Sequence, residues 1–159
     1  MIMDVEALGY EYNGIPLYCA KSMSSGSAAI SKCERGTLIG GGKCYIISVD
    51  PDIYYNISEK AREFFLLHEI SHIMSGHLDL SDNKIRMYNI LRYFGYCPLE
   101  WEADSIACEK LNCSGLDVKR FLKECDKVLR KNTKYHLSKL DQISRYFHLS
   151  KTAKHKAIV

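Results

Sequence analysis

The sequence predicts an α+β fold in which a small N-terminal β-sheet packs on a helical body. Residues 1–50 contain short apolar runs separated by glycine-containing turns, which is typical of strands. The segment Phe64 to Gly76, FFLLHEISHIMSG, is apolar on nearly all sides and indicates a buried helix. Further helices are predicted over 116–130 and 136–148, so strands precede helices along the chain.

The composition is that of a single soluble globular domain. The chain has 159 residues, enough to bury a sizeable core without disulfide bonds. It has no signal-like N-terminus and no run of 18 apolar residues, so we expect neither export nor a membrane span. The seven cysteines, an odd number, are expected to be reduced thiols in the cytoplasm.

The strands of the predicted sheet are bounded by turn residues. Asn13-Gly14 predicts a turn before the apolar run 15–20. Gly40-Gly41-Gly42 predicts a hairpin turn before Cys44 to Val49, the strongest strand candidate. Two weaker strand candidates and a loop of small residues are predicted at 28–32, 37–39 and 22–27.

The central helix carries the motif His68-Glu69-Ile70-Ser71-His72. It is predicted over 59–76, with Ser58 as its N-cap. Side chains four residues apart lie on one helix face, so His68 and His72 can bind one Zn²⁺ while Glu69 takes a proton from water. Two histidines and a glutamate are costly to bury without partners, which favours a metal. The alternative is that these polar side chains satisfy one another by hydrogen bonds.

A second helix offers the third ligand. Pro98 suits a helix start, and Glu100 and Asp104 follow at i and i+4 on one face. Glu100 could complete a zinc shell, with Asp104 accepting the free N–H of a ligand histidine. Glu102 is the competing ligand, but it points about 200° around the helix from Glu100.

A third histidine ligand fits less well. The longer pattern H-E-x-x-H-x-x-G-x-x-H requires Gly and His where this chain has Ser75 and Leu78. His77 falls one residue short of that pattern. It is predicted to be a polar residue just past the helix end at Gly76.

The segments HEISHIMSGH and EWEADSIA resemble the ImmA/IrrE family of zinc metallopeptidase-like proteins, which pair an H-E-x-x-H helix with an E-x-x-x-[ND] helix. The likeness covers residues 40–115. It implies zinc held by His68, His72 and Glu100, with Asp104 supporting a histidine. It also implies a helix-turn-helix repressor of a mobile element or stress regulon as substrate. The chain departs from the family pattern at Leu111 to Gly115, where members often have Leu-Met-Pro.

These residues predict a zinc-dependent peptidase. Glu69 would take a proton from water and pass it to the leaving amine. Cys44 to Val49 is a candidate edge strand for binding an extended substrate. Candidate oxyanion-stabilising tyrosines are Tyr88, Tyr93 and Tyr96. The alternative function is a non-hydrolytic metal-binding module that acts by binding a repressor or DNA.

The C-terminal region differs from the rest in charge. Residues 119–159 hold 12 Lys and Arg against 3 Asp and Glu, whereas residues 1–118 hold 10 against 16. We therefore predict a metallopeptidase-like core over 1–115 and a basic helical segment over 116–159, with Ser150 capping a final helix. The basic segment could contact nucleic acid or an acidic protein face. Lysines on the solvated faces of amphipathic helices are the alternative.

Overall fold

The computed structural model describes residues 5–21, 31–132 and 143–149. It confirms the α+β fold, with a four-stranded mixed sheet followed by helices. The strands are β1 Val5–Tyr12, β2 Ile15–Ala20, β3 Ser31–Thr37 and β4 Lys43–Val49. The helices are α1 Pro51–Tyr54, α2 Glu59–Met74, α3 Asp82–Tyr93, α4 Pro98–Leu111, α5 Gly115–Asn132 and α6 at 143–149, with a 3₁₀ turn at His77–Asp79. The loop predicted at 22–27, most of the strand predicted at 28–32, part of the helix predicted at 136–148 and the cap Ser150 lie outside the described residues.

The sheet has the strand order β1-β2-β4-β3, with β2 and β4 parallel and the other pairs antiparallel. β1 and β2 form a hairpin whose turn residues Asn13 and Gly14 have φ angles of 53° and 73°, as a type I′ turn requires. β3 and β4 form a second hairpin, closed by a 2.7 Å hydrogen bond from Leu38 N–H to the Gly42 carbonyl. Both turns occur where the glycines predict them.

The predicted edge strand is wrong. Cys44 to Val49 belongs to β4, which pairs with β2 on one side and β3 on the other. Its side chains are buried on both faces, as is typical of an interior strand with a continuous apolar run. The edge strand that packs on α2 is β3. Because the sequence of β3, SKCERGT, is polar and contains glycine, its strand propensity is weak.

Helix α2 lies between two parts of the core. Ile70 and Ile73 pack on the sheet, whereas Phe64 and Phe65 pack among the helices. The Ser58 hydroxyl accepts a hydrogen bond from Ala61 N–H, which confirms the predicted N-cap. The apolar character around the whole helix therefore reflects burial on two sides.

Helix α4 packs on α2 through small side chains. Ala103 and Ala107 are fully buried, and side chains of this size allow a close helix–helix approach. Pro98 is the first residue of α4, as predicted. Glu100 and Asp104 are one turn apart on this helix and are directed toward α2.

The C-terminal helices complete the helical core. One face of α5 is buried against α2, through Val118, Phe121, Leu122 and Cys125. Lys119, Lys123 and Lys127 lie on its exposed face, as expected for an amphipathic helix. Leu149 of α6 joins the same core. Among the described residues, no helix combines the length and apolar character that a membrane crossing needs.

Candidate metal centre

Two histidines of α2 meet on one face of the helix. The Nε2 atoms of His68 and His72 lie 3.0 Å apart, and their rings meet edge to face with centroids 4.6 Å apart. The His68 side chain is 6% exposed and that of His72 is 12% exposed. The one-turn spacing thus brings both imidazoles to one nearly buried point.

Glu100 of α4 brings a carboxylate to the same point. Its Oε2 lies 3.2 Å from His68 Nε2, and its Oε1 lies 3.8 Å from His72 Nε2. One ligand atom from each of His68, His72 and Glu100 lies within 4.8 Å of the others. These three side chains, called the triad below, are therefore close enough to hold a metal ion.

The spacing of these donors fits a tetrahedral ion. Metal–ligand bonds of about 2.0–2.2 Å place neighbouring donors of a tetrahedral zinc site roughly 3.3 Å apart. The observed separations of 3.0, 3.2 and 3.8 Å bracket that value. Two imidazoles and a carboxylate are also a donor set that catalytic zinc uses, with a fourth position left for water or substrate.

Glu102, the competing ligand in the sequence, contacts a different residue. Its side chain is 54% exposed, and its Oε2 lies 3.2 Å from Nε2 of His77. Side chains two residues apart on a helix point about 200° away from each other, which explains why Glu100 and Glu102 contact different residues.

Asp104 contacts Nδ1 of His68, the ring nitrogen that faces away from the triad. Its Oδ1 lies 2.9 Å from His68 Nδ1. The same carboxylate accepts two hydrogen bonds from Arg145 of α6, Nε to Oδ2 at 2.6 Å and Nη2 to Oδ1 at 2.5 Å. Arg145 Nη1 also lies 4.0 Å from Glu100 Oε2. The fully buried Asp104 is thus shared between a histidine and a guanidinium.

His77 contacts Nδ1 of His72, the ring nitrogen that faces away from the triad. The Nδ1 atoms of the two rings lie 2.7 Å apart. The His77 side chain is only 8% exposed, so it is more than a polar residue beyond the helix end. The 3₁₀ turn after Gly76 directs it back onto α2.

The charges at the triad shift the pKa values of its two histidines in opposite directions. Burial lowers the pKa of His68, but the hydrogen bonds to Asp104 and Glu100 outweigh it and raise that pKa to about 9. Burial, together with the charge of His68, lowers the pKa of His72 to about 3. Burial opposes ionisation of Glu100, but the hydrogen bond and charge of His68 hold its pKa well below the usual value. The metal-free triad at neutral pH therefore contains a cationic His68, a neutral His72 and an anionic Glu100.

Glu69 is held by the edge strand β3. Its Oε1 accepts a 2.7 Å hydrogen bond from the hydroxyl of Ser31. Burial raises the pKa of the nearby Cys33 thiol, and the charge of Glu69 raises it further. Glu69 is therefore anchored between α2 and β3, with its side chain directed at the sheet edge.

The three candidate tyrosines lie on or after α3. Tyr93 is 81% exposed, and Tyr96 packs edge-on against Trp101 with ring centroids 4.9 Å apart. The residue of α3 that approaches the triad is Arg92, whose Nη1 lies 3.6 Å from Glu100 Oε1. Tyr88 is partly buried on α3.

Sequence reasoning missed the contacts of Ser31, Arg92 and Arg145, and it predicted His77 only as a polar residue beyond the end of α2. His77 follows a helix-ending glycine, which is a usable signal for a turn back onto the helix. The others come from distant segments without a motif. Comparisons with known proteins add no assignment, because no family model matches the chain and no curated protein or solved structure is significantly similar to it.

Proposed function

We propose that the protein is a zinc-dependent peptidase. The observation that carries this proposal is the convergence of His68, His72 and Glu100 on one point with tetrahedral donor spacing. Glu69, the neighbour of His68, supplies the carboxylate that hydrolysis requires. The arrangement of two histidines, a glutamate from a second helix and a supporting aspartate is that of the zinc peptidases that use this donor set.

Each side chain has a distinct role in this proposal. A zinc ion held by the triad would supply Lewis acidity, which polarises a carbonyl and lowers the pKa of water toward neutrality. Glu69 takes the proton of the attacking water and returns it to the leaving amine. Asp104 keeps a proton on His68 Nδ1, so that Nε2 faces the metal. Arg145 keeps Asp104 ionised and in place.

The substrate of the proposed peptidase is an extended peptide segment. β3 is an edge strand that packs on α2 and carries Ser31 beside Glu69, so a strand added to it would lie next to the triad. The likeness of the two helical motifs to the ImmA/IrrE family supports a helix-turn-helix repressor as substrate. None of the seven cysteines, all of which lie in the part of the chain that the structure describes, forms a disulfide, which is compatible with the proposed cytoplasmic setting.

Metal content is the first test of this function. We expect protein purified without added zinc to contain about one zinc per chain by mass spectrometry. Glu100→Ala should lose that zinc, whereas Glu109→Ala, a control at an exposed carboxylate elsewhere on α4, should keep it. A parent protein that binds no zinc even after reconstitution would overturn the proposal.

Cleavage is the second test. We expect the zinc-loaded parent to produce new N-termini in a proteome-derived peptide library, detected by mass spectrometry. Glu69→Gln should keep its zinc and lose that cleavage, because the amide cannot accept the proton. Equal cleavage by both proteins would exclude Glu69 as the base. Bound zinc with no Glu69-dependent cleavage would instead favour the non-hydrolytic regulatory module, for which salt-sensitive DNA binding is the next measurement.

A further inference from the structure

A hydrogen-bonded chain of three side chains leads from the triad to the surface. His72 Nδ1 lies 2.7 Å from His77 Nδ1, and His77 Nε2 lies 3.2 Å from Glu102 Oε2. The two rings meet at 64° with centroids 4.9 Å apart. The side chains of His72 and His77 are nearly buried, at 12% and 8% exposed, whereas that of Glu102 is 54% exposed. The chain therefore connects a nearly buried donor to a solvated carboxylate.

The chemistry of imidazole allows one proton arrangement in this chain when His72 is a metal ligand. A neutral histidine that offers the Nε2 lone pair carries its proton on Nδ1. His72 Nδ1–H then donates to His77 Nδ1, so His77 must carry its own proton on Nε2. That N–H donates to the carboxylate of Glu102. The opposite arrangement would place a proton on His72 Nε2 and block the metal.

The backbone places His77 for this contact. Gly76 has a φ of 71°, a left-handed conformation that ends α2 and is accessible to glycine at low cost. A Cβ at this position would lie 3.2 Å from the hydroxyl of Tyr12 on β1. The turn is held by a 2.9 Å hydrogen bond from Asp79 N–H to the Gly76 carbonyl. The position of His77 therefore depends on both the glycine and the packing of the sheet.

We propose that His77 is a positioning residue that fixes the tautomer and ring orientation of His72 as a metal ligand, and that Glu102 orients His77. This inference rests on the proposed metal centre at His68, His72 and Glu100. Asp104 fixes the tautomer of His68 in the proposed site. His77, oriented by Glu102, does the same for His72. Partners of this kind typically change metal affinity by 10–100-fold when they are removed.

Zinc affinity tests the inference directly. Dissociation constants are measured by competition with a chromophoric chelator for the parent, His77→Ala, His77→Asn and Glu102→Gln. We expect His77→Ala to weaken zinc binding about 10–100-fold. His77→Asn should restore most of the affinity, because its amide oxygen can accept the His72 Nδ1–H where the imidazole nitrogen did. Glu102→Gln should weaken binding less than about tenfold, since an amide oxygen still accepts but the charge is gone.

The matched control is Glu109→Gln, which removes another exposed carboxylate two turns further along α4. It should leave the zinc dissociation constant unchanged. If the parent and His77→Ala bind zinc with equal affinity, the inference is overturned and the metal centre stands. A parent that binds no zinc would overturn the metal centre and this inference with it.

The tautomers provide a second readout that does not require the alanine variant to fold. In long-range ¹H–¹⁵N correlation spectra of the zinc-loaded parent, we expect His72 protonated on Nδ1 and His77 protonated on Nε2. In Glu102→Gln the same tautomers should persist with a weaker hydrogen bond at His77 Nε2. His77 protonated on Nδ1 in the zinc-loaded protein would contradict the proposed role.

Discussion

His68 and His72 lie one turn apart on the same face of α2, yet their surroundings differ. Nδ1 of His68 faces the fully buried carboxylate of Asp104, whose charge is balanced by Arg145. Nδ1 of His72 faces the imidazole of His77, which leads to the exposed Glu102. The pKa of His68 is accordingly raised to about 9, and that of His72 is lowered to about 3. Two identical residues at equivalent helix positions therefore receive different protonation states from side chains of other segments.

The difference indicates how the site would exchange a proton for a metal ion. In the metal-free protein, a cationic His68 lies 3.0 Å from His72 Nε2 and 3.2 Å from Glu100 Oε2. A proton on His68 can thus bridge the same donors that a metal ion would bridge. The Asp104 carboxylate, which Arg145 holds in place, favours a protonated His68, whereas the His77–Glu102 pair constrains the orientation of His72.

The largest predicted effect contrasts the two supporting carboxylates. Asp104→Asn removes the fully buried charge that pairs with the nearly buried guanidinium of Arg145, so we expect a loss of about 3–5 kcal/mol in the free energy of unfolding. Glu102→Gln changes an exposed carboxylate and should cost less than about 1 kcal/mol. Urea denaturation of both variants, without added metal, checks this contrast. Equal losses would show that Asp104 and Glu102 contribute equally to the free energy of unfolding, against this prediction.

The next effect is the pH dependence of zinc binding. Because the pKa of His68 is raised to about 9, this residue carries a proton at pH 6.5 that zinc must displace. Zinc affinity should therefore rise with pH, by about tenfold per unit below pH 9. His72, with a pKa of about 3, contributes no proton in this range.

Isothermal titration calorimetry at pH 6.5, in two buffers of different ionisation enthalpy, measures the protons released. About one proton per zinc is expected for the parent and also for Glu109→Gln. Zinc binding that releases no proton would contradict the assigned charge state of His68.

The smallest effect compares two glycines with similar backbone conformations. Gly76 and Gly95 have φ angles of 71° and 77°, so alanine at either position should cost about 1–2 kcal/mol in the free energy of unfolding. A Cβ at Gly95 meets nothing within 4 Å, whereas one at Gly76 would lie 3.2 Å from the Tyr12 hydroxyl, so that either this hydroxyl or the turn that places His77 must shift. Gly76→Ala should therefore also weaken zinc binding, and Gly95→Ala should not. Equal zinc affinity in the two variants would show that the turn at Gly76 does not control zinc binding through His77.

Much of the fold could be predicted because its signals are local. The N-cap of α2, the proline that begins α4, the glycine turns and the apolar runs of β2 and β4 depend on neighbouring residues. The order of the strands was not predictable in this way. β4 is an interior strand because β2 pairs with it across a long sequence separation, on the side opposite its hairpin partner β3. The polar sequence of β3 gave no indication that it is the edge beside α2.

The sequence by itself determined that His68, His72 and Glu69 share one helix and that Glu100 and Asp104 share one face of another. These relations follow from helix geometry, which depends only on residue spacing. Only the tertiary structure decided that Glu100 reaches the histidines while Glu102 reaches His77. It also decided that Arg145, 41 residues after Asp104, neutralises that carboxylate. Such contacts depend on how the helices pack, because charges and hydrogen-bond partners act through space and not along the chain.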